Sequence, residues 1–177
     1  LREIAFGDDG DFSESTLRER INNELVANLG NFIYRTMSFL WKEFNGEVPE
    51  PVELDDVDKQ FKAELEQLPS LVAEEMDSFR IDRAVKLIRD FSGKANQYFQ
   101  LKEPWSTKDK NCLYLCANAV ASLAILMEPF MPNASESLWK QLNLGGSVHE
   151  QQWENAGTLI LKSGHVIGEP KPLFKKV

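Results

Sequence analysis

Cysteine and histidine are the scarcest chemistry-bearing residues here, two of each in 177. Cys112 and Cys116 are too few for a disulfide framework, and a reducing, cytoplasmic setting follows. Four apart, they share one helical face. Two thiolates could serve a metal, but nothing nearby completes four ligands, so both read as core residues and no metal site is expected. His149 and His165 lie in loops, outside any His-Glu-x-x-His pattern. The Gly-x-Ser-x-Gly elbow and the phosphate-cradling glycine loop are also lacking, so no complete active site of these kinds is expected within the chain. No window reaches the ~18 apolar residues of a membrane span, and the charged start Leu1-Arg2-Glu3-Ile4 is no signal peptide. A first residue of Leu rather than Met reads as a piece of a longer protein.

What is present is enough for a core: at this length a folded chain buries roughly two-thirds of its unfolded surface without a covalent staple. Twenty basic against 28 acidic residues give a net charge of −8, unevenly spread. Eleven acids face two bases between residues 47 and 79. Between 80 and 94 five bases, Arg80, Arg83, Lys86, Arg89 and Lys94, face two acids. The whole-chain charge is therefore a poor guide to any one face.

Apolar residues recur at helical steps. Leu17, Ile21, Leu25, Leu29, Phe32, Thr36, Leu40 and Phe44 predict one long helix over about 14–44, capped near Asp11 or Ser13 and stopped by Asn45-Gly46. A second stripe from Val57 to Phe79 crosses Pro69, which should kink or divide it. A third helix is expected over about 82–100. Glu103-Pro104-Trp105-Ser106-Thr107 breaks the period. A fourth, apolar on most sides and therefore central, is expected over about 108–127. Pro129 and Pro132 end it, and Asn133-Ala134-Ser135-Glu136 has capping-box spacing before a short helix to about Leu142. Thr158-Leu159-Ile160-Leu161 and His165-Val166-Ile167 could pair as a small β-hairpin. The fold class is all-α, an antiparallel helical bundle with a short C-terminal extension.

Two features stand apart from the core pattern. Asn31, Arg35 and Lys42 fall within about 40° of one another on the polar face of the first helix. Asn offers a donor and an acceptor and Arg a planar fork, so the pair could read a base edge and hold a phosphate; a solvated helix face is the plainer alternative. Trp105, after Pro104 in a polar break, either covers the bundle end or presents its ring to an unpaired base. The five bases of 80–94 either meet phosphates or form a solvated face. Trp41, Trp139 and Trp153 read as packing residues.

Phe6-Gly7-Asp8-Asp9-Gly10-Asp11-Phe12-Ser13, the stretch from Asn23 to Arg35, Ala95-Asn96-Gln97-Tyr98 with Glu103-Pro104-Trp105, Glu128-Pro129-Phe130-Met131-Pro132, and Gly168-Glu169-Pro170-Lys171-Pro172-Leu173-Phe174 resemble the C-terminal part of the methionyl-tRNA synthetases, in archaeal or eukaryotic wording. The match covers nearly the whole chain in order. The resemblance implies a linker over 1–12 from a missing catalytic domain, a helical-bundle anticodon-binding domain over 13–144, and an extension over 145–177 that packs back toward that catalytic domain, its Leu173-Phe174 tail loose without it. It implies that Asn31 and Arg35 read the CAU anticodon of methionine tRNA and that Trp105 stacks on its first base with Pro104 shaping the loop; in that setting Arg80, Arg83, Lys86, Arg89 and Lys94 are candidates for the tRNA backbone, the solvated face being the commoner use of such a row. Asn96 and Tyr98 are expected to support the loop. His-Ile-Gly-His and Lys-Met-Ser-Lys-Ser are absent, so ATP with Mg, and zinc if used, would belong to the missing part, and this chain alone should not activate methionine. Another synthetase of the valine, isoleucine, leucine and cysteine group is the nearest alternative, against which Pro104-Trp105 argues. A protein-interaction bundle without an RNA role is the other.

Overall fold

The computed structural model describes residues 13–177; the expected linker, its glycine-aspartate loop and the Asp11 cap lie outside them. Ser13 caps the first helix through its Oγ, which accepts the Thr16 N–H at 3.3 Å. The helix runs as α1 (Glu14–Arg20), a π-helical segment (Ile21–Gly30) and α2 (Asn31–Glu43). In the middle segment the turn is widened, so that Asn31 N–H reaches back five residues to the Val26 carbonyl. That widening breaks the phase between the two ends. Phe32, Ile33, Thr36, Met37 and Leu40 of α2 are buried, whereas Leu17 of α1, whose main partner among the described residues is the segment that continues it, is exposed. Asn45 and Gly46, both left-handed, turn the chain out of α2.

α3 (Asp56–Asp77) begins with a capping box in which Asp55 and Asp58 bond each other's backbone N–H. Pro69 does not divide it: the helix runs through as one element. The Pro69 ring is buried and faces Gly157, where a Cβ would come within 2.9 Å of Pro69 Cγ and 3.0 Å of the Leu65 carbonyl oxygen. The carbonyl that a proline leaves without its usual helical donor is thus closely covered by packed backbone. α4 (Ile81–Lys102) returns antiparallel against α3. In the expected break a single turn, α5 (Pro104–Thr107), forms before α6 (Lys110–Met127).

Every residue of α6 from Asn111 to Met127 is buried, among α2, α3, α4 and α7 (Pro132–Gln141). Contrary to the expectation from sequence, α6 is long and apolar enough to cross a membrane by length and composition. Its burial inside the bundle identifies it as the core helix. Cys112 and Cys116 are core as expected, and burial pushes the Cys116 thiol up in pKa. The capping box at Asn133 does not form. Pro132 already occupies the first helical position, so the Glu136 carboxylate accepts instead from Ser147 Oγ at 2.8 Å and Val148 N–H at 3.0 Å.

The expected hairpin is also replaced. Asn118 of α6 holds the Leu161 backbone, accepting its N–H at 2.8 Å and donating to its carbonyl at 3.1 Å. Residues 164–167 pair with the loop after α2: Val48 N–H bonds the His165 carbonyl at 2.8 Å and Gly164 N–H the Val48 carbonyl at 2.9 Å. The two candidate strands find better partners in the bundle than in each other. The end of the tail lies against the first helix. Asn22 bonds both backbone groups of Val177, each at 3.0 Å, and the Phe174 ring lies over Gly30.

Candidate functional site

The end of α4, the α5 turn and the polar side of α2 meet at one corner of the bundle. Asn31, the first residue of α2, is exposed and its side chain makes no hydrogen bond among the described residues. One turn later Arg35 is half-buried, its Nη2 donating to Gln100 Oε1 at 3.2 Å. Its guanidinium carbon stands 4.3 Å from the centre of the Phe99 ring and 5.0 Å from that of Trp105. Phe99 and Trp105 are themselves roughly parallel, 6.2 Å apart at 29°. Trp105 is 42% exposed and Pro104, at the first position of α5, is buried. Burial lowers the Arg35 pKa, but a guanidinium remains charged at neutral pH. The two rings hold its planar fork in a fixed orientation and leave spare donors beside Asn31.

The corner offers a cation, an amide and an indole face side by side, a set suited to a flat polar ring with an anion attached. Three of the four expected residues, Arg35, Trp105 and Pro104, converge there with Asn31 one turn away. Phe99, Gln100 and Lys102 belong to the same corner and were missed. The periodic pattern of α4 had marked Phe99 as core, which it also is, and gave no signal for the other two.

Behind the corner is a buried polar cluster. Lys102 Nζ contacts three carboxylates, Asp55 at 2.8 Å, Asp58 at 2.9 Å and Asp109 at 3.1 Å. Asp58, fully buried, also accepts from Tyr98 Oη at 2.7 Å and Asn111 Nδ2 at 2.9 Å. Burial opposes ionisation of Asp58, but the bonds from Lys102, Tyr98 and Asn111 outweigh it and its pKa falls. Burial likewise opposes charge on Lys102, and the three carboxylates outweigh it, raising its pKa. The cluster fixes the C-terminal end of α4 to the starts of α3 and α6. Tyr98 therefore supports the corner from beneath, while Asn96 supports the first helix instead: its amide donates to the Asn28 carbonyl and side chain, each at 3.1 Å.

The five bases of 80–94 do not form one free surface. Arg80 pairs with Glu75, Arg89 with Asp90 and, at 3.6 Å, Glu24, and Lys94 with Glu64 at 3.0 Å. Only Arg83 and Lys86 are exposed without an ion pair among the described residues. At 1.5 Å per residue the five spread roughly 9–30 Å along α4 from Gln100. A polar cleft of about 460 Å³ lies between the π-helical segment and α4, lined by Asn23, Asn28, Arg89, Gly93, Lys94 and Gln97 among others. Trp139 and Trp153 are packing residues whose indoles donate to the Gly145 and Pro69 carbonyls. Trp41, contrary to expectation, is 40% exposed, with one ring edge against Gly46. Among the described residues no group of three or more His, Cys, Asp or Glu is placed to hold a metal ion. The carboxylates of Asp55, Asp58 and Asp109 converge on Lys102.

Residues 58–168 match the family described as the anticodon-binding domain of tRNA ligase, and residues 1–37 match class I tRNA synthetases (M). Trp105 thus falls in the first match, Asn31 and Arg35 in the second. The chain is 39% identical to a methionine–tRNA ligase of Methanopyrus kandleri over 175 residues, covering 96% of this chain and 25% of that protein. A methionine–tRNA ligase of Pyrococcus abyssi is also 39% identical, with 96% of this chain and 23% of that protein covered. The chain therefore spans about a quarter of the length of these relatives. Among solved structures, the apo form of a Mycobacterium tuberculosis methionyl-tRNA synthetase superposes with a TM-score of 0.91 at 28% identity, over 99% of this chain and 37% of that one.

Proposed function

The chain belongs to the anticodon-binding domain family of tRNA ligases, and from that premise we propose that it reads the CAU anticodon of methionine tRNA as the C-terminal part of a methionine–tRNA ligase. The observation that carries the reading is the Arg35 guanidinium held over Phe99 and Trp105, at 4.3 and 5.0 Å, beside an Asn31 side chain without a hydrogen bond among the described residues. A single-stranded loop can splay its bases, and an unstacked base needs both a π face to lie on and donors for its edge. Trp105 supplies the face. Asn31 supplies a donor and an acceptor, and Arg35 a charge-assisted donor to a base oxygen or phosphate. Pro104 fixes the entry of the turn that presents the indole.

Affinity from phosphate contacts along α4 is modest in this reading, because of its five bases over 80–94 Arg80, Arg89 and Lys94 are already engaged by carboxylates and only Arg83 and Lys86 have no ion pair among the described residues. The domain works in the cytoplasm alongside its own catalytic domain, joined through residues 1–12 and approached by the extension over 145–177. ATP, Mg and any zinc serve that catalytic domain, whose activation motifs this sequence lacks. The test is a titration with a CAU stem-loop and a scrambled one. The CAU loop should bind at least about tenfold tighter, a discrimination of ~1.4 kcal/mol. Its affinity should fall with salt along a shallow slope. Methionine-dependent pyrophosphate exchange should stay at background. Equal binding of the two loops would overturn the reading in favour of another synthetase or a protein-binding bundle.

A further inference from the structure

The turn that carries Trp105 is bracketed by two residues in an unusual backbone state. Glu103 and Lys108, neither of them glycine, sit at φ +45° and +51°, in the left-handed region. Such conformations persist only where the surroundings hold them. The α5 turn between them is one helical turn long, far too short to hold itself. Local bonds help: Thr107 Oγ1 donates to the Lys102 and Glu103 carbonyls at 2.9 and 3.0 Å, and Ser106 Oγ to Glu103 at 3.0 Å. All of these lie within the turn. Beyond the turn, the Trp105 ring lies against Phe99 and Arg35 and Lys108 Nζ pairs with Glu43 at 3.3 Å, while across its base runs the ion pair of Lys102 Nζ with Asp109 at 3.1 Å. Lys102 is itself anchored to Asp55 and Asp58 at the start of α3, and Asp109 caps α6 by accepting the Cys112 N–H at 2.9 Å.

We propose that the Lys102–Asp109 ion pair is a positioning device for base recognition, closing the turn so that the Trp105 ring stands beside Arg35 before RNA arrives. The inference rests on the reading of Trp105 as the stacking ring. Lys102 and Asp109 touch no RNA; they act through Trp105. A ring already in place spares the ordering cost that a mobile turn would meet on binding.

Lys102→Met would strand three carboxylates and could prevent folding, so the milder variant decides. Asp109→Asn keeps an oxygen to cap α6, because Asn caps as well as Asp, and it leaves Lys102 with Asp55 and Asp58. The chain is labelled with 5-fluorotryptophan, and the Trp105 signal is identified by its loss in Trp105→Phe. In Asp109→Asn the ¹⁹F resonance of Trp105 should shift or broaden while those of Trp139 and Trp153 stay put, a pattern that general loosening of the bundle would not give. Affinity for the CAU stem-loop should fall about threefold to tenfold, as expected for loss of a partly shielded ion pair. In a Trp105→Ala background the same substitution should have no further effect on affinity. An unmoved Trp105 resonance, or unchanged affinity, in a variant that melts cooperatively overturns the bracket alone. If Trp105→Ala itself binds RNA as tightly as the unaltered chain, the base-stacking reading fails instead, and with it the role of the bracket in RNA binding.

Discussion

Asn118 and Asn31 are the same side chain put to opposite uses. Asn118, in the middle of α6, is fully buried, with its amide given to the Tyr114 and Leu161 carbonyls and its oxygen to the Leu161 N–H. Asn31, at the start of α2, is exposed and its side chain is bonded to nothing among the described residues. The same contrast separates the two regions around them. Asn111 and Ser122 in the core helix hold backbone groups of other segments, whereas Arg35 at the corner has one 3.2 Å bond and two aromatic faces. Asn111, Asn118 and Ser122 are used up in specifying the fold, and Asn31 and Arg35 at the corner keep capacity for a partner.

The largest effect should come from breaking the interior side of this contrast. Asn118→Ala leaves the Leu161 N–H and C=O without their partner inside the protein, and each buried orphan costs ~1–3 kcal/mol. A loss of about 3 kcal/mol in a urea melt is expected, with stem-loop affinity of the folded fraction unchanged. A parallel loss of affinity would mean that core and corner are coupled.

The Lys102 cluster should set both pH limbs of stability. Asp58 and Asp55 titrate below their ordinary values when folded, through bonds to Lys102 among others. Their contribution is therefore complete above pH ~4 and is lost as pH falls through the lowered folded values. Tyr98, raised by burial and by its bond to Asp58, and Lys102 act in the opposite sense. Their contribution is complete below about pH 10 and fades as pH rises beyond it. Chemical melts from pH 2 to 11 should show a plateau between these limits, and Tyr98→Phe should soften the alkaline limb.

At the corner itself, Trp105→Ala should weaken CAU binding by ~1–3 kcal/mol, the usual worth of a base stacked on an aromatic ring. Because the ring is 42% exposed yet also faces Phe99 and Arg35, stability should fall by about 1 kcal/mol, well short of the ~3–5 kcal/mol of a buried tryptophan. Arg35→Ala and Asn31→Ala should relax discrimination between CAU and other loops. Asn31→Ala, with no internal bond to lose, should leave the melt within about 0.5 kcal/mol. Paired melts and titrations separate the two contributions.

How far this contrast could be read beforehand depended on the range of the physics involved. The apolar stripes placed α2, α3, α4 and α6, because periodicity is a property of neighbours three and four apart. The polar face of Asn31 and Arg35 lay within α2 and was visible for the same reason. Non-local partners were not. Pro69 stays in α3 against Gly157, Glu136 turns to residues 147–148, and the candidate hairpin gives way to Asn118 and Val48. Leu17 keeps the periodic pattern but sits on α1, whose main partner among the described residues is the segment that continues it, and so stays exposed. Lys102 read as the charged end of a helix, since nothing in one sequence places Asp55, Asp58 and Asp109 around it.

The smallest expected effects lie along α4, where the contrast between committed and uncommitted groups is repeated in charge. Arg83 and Lys86 are exposed without an ion pair among the described residues, while Arg89 and Lys94 face Asp90, Glu24 and Glu64. An uncommitted base can neutralise a phosphate at little cost, whereas a paired one must first leave its carboxylate or share it. If the stem of the RNA runs along this helix, Lys86→Ala and Arg83→Ala should each reduce the slope of log affinity against log salt by up to about 0.9. Each should also weaken binding uniformly across sequences by a few tenths of a kcal/mol, since exposed charge contacts are worth ~0–1 kcal/mol. Lys94→Ala should change the slope less than either, and its melt slightly, through the lost pair with Glu64. Slopes measured from 50 to 300 mM salt for the three variants check the order. Equal slopes would mean that ion pairing within the bundle does not decide which bases the RNA meets, and a steeper dependence on Lys94 would reverse it.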